Sequence, residues 1–511
     1  MALDLNFHSY FSIINSSDST GFATKYNPFD EDNHSSHTYN SVSSPDITYD
    51  SSTGRVTFGA AGTYLIILCT TFTLNTSNNT TVVDIGVNGD ARFESAPFYV
   101  HSSYDPVDQT FHLITTVNAG DYLEVGVDSQ NASLVAAQNG TSLTVLKSNG
   151  DYGYLMYTSD ASASGAGAEI ALFDSNERTA DTQTLKNVTY TAADGTLTPS
   201  NTRKFLMLST LMVTHSAPSG PVNHGFYVDD SIIEVLPVEV SKNVDPLEMS
   251  IGLLNSLTAD ETCSARAQSG AGSRTVQANK GTAFSIFDIT NNGTDPSAFL
   301  SLTVDGDSDA MTTGDQICFD SGEWGSYADT DFVTATGITF TADGGTFVVP
   351  SAGKYFILWN LVIGTATGSG ERSVEIKNDG VVVYQTPWYM HVNTDPIEKT
   401  VCVILDAAAG SSFTFVVNSP NGMFDAGTAI TMFKVDEVND LYVQSVPTDS
   451  LIADDFTING FSENGLSPQH DRVVQKQVPF LLGVPGPLSL RGRSFATTET
   501  PPNVSTGDKK N

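Results

Sequence analysis

Short apolar runs separated by turn residues recur along most of the chain. The segment ITYDSSTGRVTFGAAGTYLIILCTTFTL (47–74) reads as a short strand, a Gly-containing turn and a long buried strand rich in β-branched and aromatic residues. ITFTADGGTFVVPSAGKYFILWNLVI (338–363) has the same order. No stretch before residue 437 keeps a 3.6-residue apolar period over three turns. The pattern therefore predicts an all-β chain of short strands, as in a sandwich or jelly roll.

Three dipeptides recur in fixed order and give the chain an internal period. They are Phe-Asp at 29, 173 and 319, Asp-Pro at 105, 245 and 395, and Gly-Thr at 140, 281 and 427. Phe-Asp and Asp-Pro are 76, 72 and 76 residues apart, and Asp-Pro and Gly-Thr are 35, 36 and 32 apart. Between the Phe-Asp and Asp-Pro landmarks of each repeat we predict a two-residue hairpin turn, at Asn88-Gly89, Asp229-Asp230 and Asp379-Gly380. These residues tolerate the positive φ that such turns require.

The spacing predicts three tandem β-sandwich domains followed by an unrelated segment. We place the first domain at 1–148, the second at 149–290, the third at 291–436 and an extended C-terminal arm at 437–511.

The repeats resemble the jelly-roll domain shared by tumour necrosis factor and the globular heads of complement and collagen-like proteins. AAGTYLIIL (60–68) and SAGKYFILW (351–359) match the segment that enters a central strand, and Gly120-Asp121 matches a later turn. The second repeat departs from the pattern: it has SNTRKFLML (200–208) at the position where the other two repeats have the segment that enters the central strand. The resemblance implies association in threes through the inner sheet.

That trimer has two possible forms, an intramolecular pseudo-trimer within one chain or a homotrimer of three chains. Linkers of six to nine residues span at most roughly 20–30 Å. This length reaches the base of an adjacent domain more easily than it climbs past a whole one, which favours the intramolecular form.

Net charge and cysteine usage limit the classes of binding partner and the cellular compartment that we expect for the protein. The 511 residues carry 23 Lys plus Arg against 58 Asp plus Glu, a net charge of −35, which argues against nucleic acid as a partner. No apolar run is long enough for a membrane span, and the N-terminus lacks a basic, then apolar, leader pattern. The four cysteines have no C-x-x-C spacing, so reduced thiols made in a cytoplasm are expected, with a disulfide or zinc site as the alternative.

The last forty residues differ from the rest of the chain. From 472 to 511 there are six basic and two acidic residues, so this stretch is positive while the remainder is strongly negative. Prolines 479, 485 and 487 exclude a regular helix. We expect an extended arm that docks on another protein, with a tail folded on its own third domain as the alternative. Its expected contact residues are Arg472, Lys476, Phe480, Leu481, Leu482, Leu488, Leu490, Arg491 and Arg493.

Sequence motifs for catalysis are missing. The chain has no G-x-S-x-G, H-E-x-x-H or phosphate-binding loop, and we expect neither enzymatic activity nor a required cofactor. Asp305, Asp307 and Asp309 are a weak calcium candidate, and we expect a solvated acidic loop there instead, because the central Gly and terminal Glu of an EF-hand loop are missing. Two aromatic pairs precede Asp-Pro landmarks and are either ligand-facing rings for a glycan or receptor, or core residues. They are Phe98 with Tyr99 and Trp388 with Tyr389.

Together these features suggest a virion structural protein. We expect a decoration, cement or spike protein on the capsid exterior of a bacteriophage or related virus, bound to other capsid proteins and synthesised in the host cytoplasm. The alternative is a fibre or head protein that binds a host receptor or glycan. Both expectations are analogies at the level of fold.

Overall fold

The computed structural model describes residues 9–15, 25–31, 39–74, 79–100, 107–129, 135–137, 140–159, 163–166, 169–215, 219–241, 247–269, 275–290, 293–304, 315–322, 332–365, 370–390, 397–418, 422–424 and 427–436. These residues form β-strands joined by turns, and none of them lies in an α-helix. Accordingly, no helix in the described residues has the length and apolarity needed to cross a membrane.

The first two sheets contain strands β1 to β13. The bounds are β1 Tyr10–Asn15, β2 Lys25–Tyr26, β3 Tyr39–Ser43, β4 Ile47–Asp50, β5 Arg55–Phe58, β6 Gly62–Leu74, β7 Asn79–Val87, β8 Asp90–Glu94, β9 Phe98–Val100, β10 Val107–Val117, β11 Tyr122–Ser129, β12 Val135–Ala137 and β13 Ser142–Lys147. The inner sheet has the order β10-β6-β13-β1-β3, with β12 beside β6. The outer sheet has the order β4-β5-β11-β7-β8, with β2 beside β11 and β9 beside β7. We call this pair the first sandwich.

The second sandwich contains β14 to β26. The bounds are β14 Tyr152–Met156, β15 Ala163–Ala166, β16 Glu169–Ala171, β17 Thr182–Lys186, β18 Val188–Thr191, β19 Thr196–Pro199, β20 Arg203–His215, β21 Ser219–Val228, β22 Ser231–Ser241, β23 Leu247–Leu257, β24 Cys263–Ser269, β25 Thr275–Ala278 and β26 Ala283–Asp288. The inner sheet has the order β15-β25-β20-β26-β14-β17, with β23 beside β20. The outer sheet has the order β18-β19-β24-β21-β22, with β16 beside β24.

The third sandwich contains β27 to β38. The bounds are β27 Phe299–Thr303, β28 Asp315–Ile317, β29 Phe332–Thr336, β30 Thr339–Thr341, β31 Thr346–Val348, β32 Gly353–Thr365, β33 Gly370–Asn378, β34 Val381–Met390, β35 Ile397–Ala407, β36 Ser412–Asn418, β37 Gly422–Phe424 and β38 Ala429–Lys434. The inner sheet has the order β29-β27-β38-β32-β35, with β37 beside β32. The outer sheet has the order β30-β31-β36-β33-β34, with β28 beside β36.

The antiparallel sheets confirm the predicted all-β sandwich fold. Three sheet pairs are consistent with the three repeats, and residues 7–437 form one compact unit. The predicted domain cuts near 148 and 290 fall between β13 and β14 and between β26 and β27.

The predicted hairpin turns are confirmed by backbone geometry. Both residues of each turn have positive φ: Asn88 and Gly89 at 54° and 83°, Asp229 and Asp230 at 46° and 61°, Asp379 and Gly380 at 50° and 77°. These values are those of the mirror-image turns whose twist matches antiparallel strands.

The Gly-Thr landmark recurs because both residues have structural roles. The glycines have φ of 89°, 88° and 91°, a region that side chains disfavour. Each following threonine hydroxyl accepts a hydrogen bond from a backbone N–H of the long inner strand. The bonds are Thr71 N to Thr141 Oγ1 (3.2 Å), Met212 N to Thr282 Oγ1 (3.1 Å) and Val362 N to Thr428 Oγ1 (3.1 Å).

Candidate functional site

The candidate site is the central interface, which we define as the buried region where the inner sheets of the three sandwiches meet. Strands β10, β23 and β35 each begin just after an Asp-Pro landmark and each pairs with a single described strand, β6, β20 or β32. They are therefore edges of their inner sheets, with a row of backbone N–H and C=O groups left unpaired by the sheet. The three edge strands contact one another.

Side chains from corresponding positions of β1, β14 and β27 cover these edges. Each is the third residue of its strand, and each reaches the edge strand of a different sandwich. The bonds are Ile404 N to Ser12 Oγ (3.1 Å), Leu254 N to Ser301 Oγ (3.2 Å) and Tyr154 Oη to His112 O (3.1 Å). The first sandwich thus covers the third, the third covers the second and the second covers the first.

The glycine landmarks make contacts in the same cyclic direction. A Cβ built on Gly140 would lie 2.2 Å from Thr386 Cβ in the third sandwich. One on Gly427 would lie 2.9 Å from Val235 O in the second, and one on Gly281 would lie 3.1 Å from Ser95 Cα in the first. These close approaches require glycine, and they repeat the order of the hydroxyl contacts around the interface.

One half of the central interface is apolar. Its residues come from all three inner sheets and join one hydrophobic cluster with the core of the first sandwich. They include Leu65, Ile67, Ile114, Leu146, Leu206, Leu208, Leu254, Phe287, Phe356, Leu358, Ile404 and Phe433. The rings of Phe356 and Phe433 stack with centroids 4.6 Å apart. Burial of this surface favours association of the three sandwiches.

The other half is polar and fully enclosed. Asn360 on β32 is buried, and its side chain covers the edge of β23 with both of its polar atoms. Its Oδ1 accepts from Gly252 N (3.1 Å), and its Nδ2 donates to Ser250 O (3.1 Å) and Thr400 Oγ1 (2.7 Å). A side-chain amide therefore takes the place of a neighbouring strand.

Three acidic side chains occupy corresponding positions in this polar half. We call Asp108, Glu248 and Glu398 the acidic triad; each is three residues after the Asp of an Asp-Pro landmark. Both glutamates are buried and bond to the next edge strand: Thr110 N donates to Glu248 Oε2 (2.8 Å) and Ser250 N donates to Glu398 Oε2 (3.2 Å).

Burial raises the pKa of both glutamates. The pKa of Glu398 rises to about 8, and that of Glu248 rises well above its usual range, with the nearby Glu398 carboxyl adding to the effect of burial. These groups therefore hold protons at neutral pH.

Asp108 is the member of the triad with a cation. Burial raises its pKa, and this rise is opposed by Lys399, whose Nζ forms an ion pair with Asp108 Oδ1 and lies 3.2 Å from Thr71 Oγ1. The second oxygen of Asp108 is buried without a hydrogen-bond partner. The shorter aspartate therefore departs from the pattern of the two glutamates.

Two histidines are buried in or beside the polar half. His112 Nδ1 lies 2.9 Å from Thr210 Oγ1, and His224 Nε2 lies 2.9 Å from Ser209 Oγ. Burial lowers the pKa of each imidazole to about 3, so both are neutral near neutral pH. They act here as hydrogen-bonding core residues.

The structure changes the interpretation of the predicted aromatic site. Phe98 lies in β9 and Trp388 in β34, and the two rings are 0% and 1% exposed. Both rings pack in sandwich cores, which is the alternative interpretation given for these pairs. The side chains of Tyr99 and Tyr389 lie outside the described residues.

Other predicted site residues cannot be placed on this interface. The arm residues from Arg472 to Arg493 and the calcium candidates Asp305, Asp307 and Asp309 lie outside the described residues. Within the described ranges no group of three His, Cys, Asp or Glu side chains is arranged to hold a metal ion. All four cysteines, Cys69, Cys263, Cys318 and Cys402, are buried free thiols.

Sequence reasoning missed the acidic triad although a signal was present. An acidic residue follows every Asp-Pro landmark at the same spacing and opens an apolar strand. A charge at a repeated position of a buried strand indicates an interface contact more strongly than a solvated surface.

The fold and the interface define an all-β protein whose sandwiches meet edge to face around a common centre. No protein-family model matches the chain. No curated protein matches it either. Similar solved structures include those of murine APRIL at pH 8.0, pH 8.5 and pH 5.0, with 15%, 16% and 15% identity. Each match has a TM-score of 0.20 and covers 27% of this chain and 98% of the APRIL chain.

Proposed function

We propose that this protein is a non-catalytic structural and binding protein whose three sandwiches act as one closed pseudo-threefold unit within a single chain. The observation that carries the proposal is the cyclic set of contacts from Ser12, Tyr154 and Ser301, each to the edge strand of the next sandwich. Because the third contact returns to the first sandwich, the three edge strands β10, β23 and β35 are all covered by described residues of the same chain.

Native mass spectrometry of the full chain tests this closed unit. We expect a mass near 54.4 kDa, that of one chain. A stable species of three times that mass would contradict the proposal and favour a homotrimer. Measurement across a hundredfold range of protein concentration serves as the control, because a closed unit does not dissociate on dilution.

We propose further that the protein sits on the exterior of a virus particle, as a capsid decoration, cement or spike protein attached through its C-terminal segment. Two features support this role: the central interface is used for cohesion, and the positive charge of residues 472–511 contrasts with the net charge of −35. A basic, apolar, proline-containing segment suits docking on an acidic or apolar protein surface. The step to a virion is an analogy from fold and composition.

Particle binding by charge variants tests the attachment. We expect Arg491→Gln with Arg493→Gln to reduce co-sedimentation with purified particles, while Lys509→Gln with Lys510→Gln, which removes the same charge, leaves it nearly unchanged. Equal binding by both variants would contradict attachment through residues 472–493. Recovery of the protein with isolated tails, and not with heads, would instead favour a receptor-binding fibre or head.

A further inference from the structure

Glu248 and Glu398 bridge neighbouring sandwiches in the same way. One carboxyl oxygen of each accepts from a backbone N–H of another sandwich, Thr110 N for Glu248 and Ser250 N for Glu398. The other oxygen meets a hydroxyl of its own strand, Ser250 Oγ or Thr400 Oγ1. The two carboxyls therefore converge on one residue, Ser250, and close the polar half of the central interface.

The geometry at Glu248 suits a neutral carboxylic acid. A protonated carboxyl has one oxygen that accepts and one that donates, and a hydroxyl can accept that proton. Ser250 Oγ also lies 3.3 Å from Thr110 O, an acceptor to which it donates its own hydrogen. The Ser250 oxygen is then free to accept the proton of a neutral Glu248, so each oxygen of this carboxyl has a complementary partner.

Ionisation of both glutamates would place two negative charges in this enclosed site. The described titratable groups around them come from five strands. They are Asp108 and His112 on β10, Cys69 on β6, Tyr384 on β34, Lys399 and Cys402 on β35, and His224 on β21. Lys399 supplies one positive charge, and it is already paired with Asp108. No second cation among these groups balances the glutamates.

We propose that Glu248 and Glu398 form a pH-sensitive latch between the sandwiches, which holds the polar half of the central interface closed when they are protonated and loosens it when they ionise. The latch acts on the contact of the second sandwich with both of its neighbours, because Glu248 reaches β10 and β23 receives Glu398.

The direction of the pH effect follows from the raised pKa of the two acids. A carboxyl that binds its proton more tightly in the folded chain stabilises the fold fully below its unfolded pKa of 4.5. That stability is lost as the pH rises to the folded value, about 8 for Glu398. Below pH 6.5 the unfolded chain protonates His112 and His224, which gives an opposite slope. The clean window for the latch is therefore pH 6.5 to 8.

Denaturant unfolding of the full chain in this window tests the proposal. We expect the unfolding equilibrium constant to increase with pH by up to about tenfold per pH unit for each glutamate that stays protonated when folded. The combined Glu248→Gln and Glu398→Gln variant, which keeps a donor and an acceptor at each position, is expected to lose this slope. The exposed Glu177→Gln is the matched control and is expected to keep it.

Hydrogen exchange locates the effect. After division by the intrinsic exchange rate, we expect the protection of the Thr110 and Ser250 amides to fall between pH 6.5 and 8 in the wild type and to stay constant in the double glutamine variant. An unfolding constant independent of pH in the wild type would overturn the latch. So would an equal slope in the double variant, or unchanged protection of both amides in the wild type.

Discussion

The two halves of the central interface hold the same three sandwiches by different physical means. In the apolar half, Leu206, Phe356 and their neighbours pack in one cluster whose stabilisation depends on buried area and contact. In the polar half, Asn360, Glu248 and Glu398 cover strand edges with directed hydrogen bonds. Burial of polar groups in this half contributes little net free energy of folding. The loss of one hydrogen-bond partner, however, leaves the other polar group buried without a partner, which is costly.

This contrast shows how one sequence repeat can give three distinct contacts. Apolar packing tolerates exchange between Leu206 and Phe356 at corresponding positions, because both fill space. The polar half does not repeat in this way: Cys69, Thr210 and Asn360 correspond in position but only Asn360 covers both groups of an edge strand. We therefore expect the polar half to determine which sandwich lies beside which, and the apolar half to supply most of the cohesion.

The largest effect is expected in the apolar half. Phe356→Ala removes a fully buried ring that stacks on Phe433, and we expect a loss of about 3–5 kcal/mol in the free energy of unfolding. Denaturant titration at constant pH measures it, with the exposed Val381→Ala as control. A loss below about 1 kcal/mol would show that this cluster is not the main source of cohesion.

A smaller effect is expected from breaking the ion pair of the polar half. Lys399→Met leaves the Asp108 carboxyl without its cation, and we expect a loss of about 3 kcal/mol at pH 7. Methionine suits this position of the strand, since Met249 occupies it in the second sandwich. The same unfolding titration measures the change.

A double variant separates a lost contact from an unpaired charge. Adding Asp108→Asn to Lys399→Met removes the buried carboxylate, and we expect it to restore about half or more of the lost free energy. If the double variant is less stable than Lys399→Met by the full cost of a second independent change, the two residues do not act as a pair.

Local features of the fold were predictable from sequence because their causes are local. Asn88-Gly89 and its two counterparts indicate positive φ directly, and the continuous apolar run of β6 indicates a strand buried on both faces. The motif change at 200–208 did not alter the strand, since β20 has 13 residues like β6 and β32. Segment 200–208 keeps the apolar pattern, and this pattern is what a strand of the inner sheet requires.

The site was less predictable because its residues meet only after three distant segments fold. In a strand such as β6, the side chains on both faces are largely apolar. The sequence pattern therefore does not tell which face packs inside its own sandwich and which face contacts the neighbouring sandwiches. For the same reason the sequence left open whether Phe98 and Trp388 face a ligand or pack in a core, and the structure encloses each in its own sandwich. The partners of the acidic triad are set by a cyclic arrangement that no single repeat encodes.

The smallest effect concerns one hydrogen bond between sandwiches. Tyr384 Oη donates to Gly140 O at 2.8 Å, from the third sandwich to the landmark turn of the first. We expect Tyr384→Phe to cost about 1 kcal/mol, because the ring stays packed while a buried carbonyl loses its donor. Tyr64→Phe is the matched control, since it removes a bond of similar length, 2.9 Å to Ala60 O, inside the first sandwich. If the bond between sandwiches also orients them, only Tyr384→Phe lowers the hydrogen-exchange protection of the Gly140 amide. An equal loss of that protection in both variants would show that the polar contacts stabilise each sandwich without determining the order of the sandwiches.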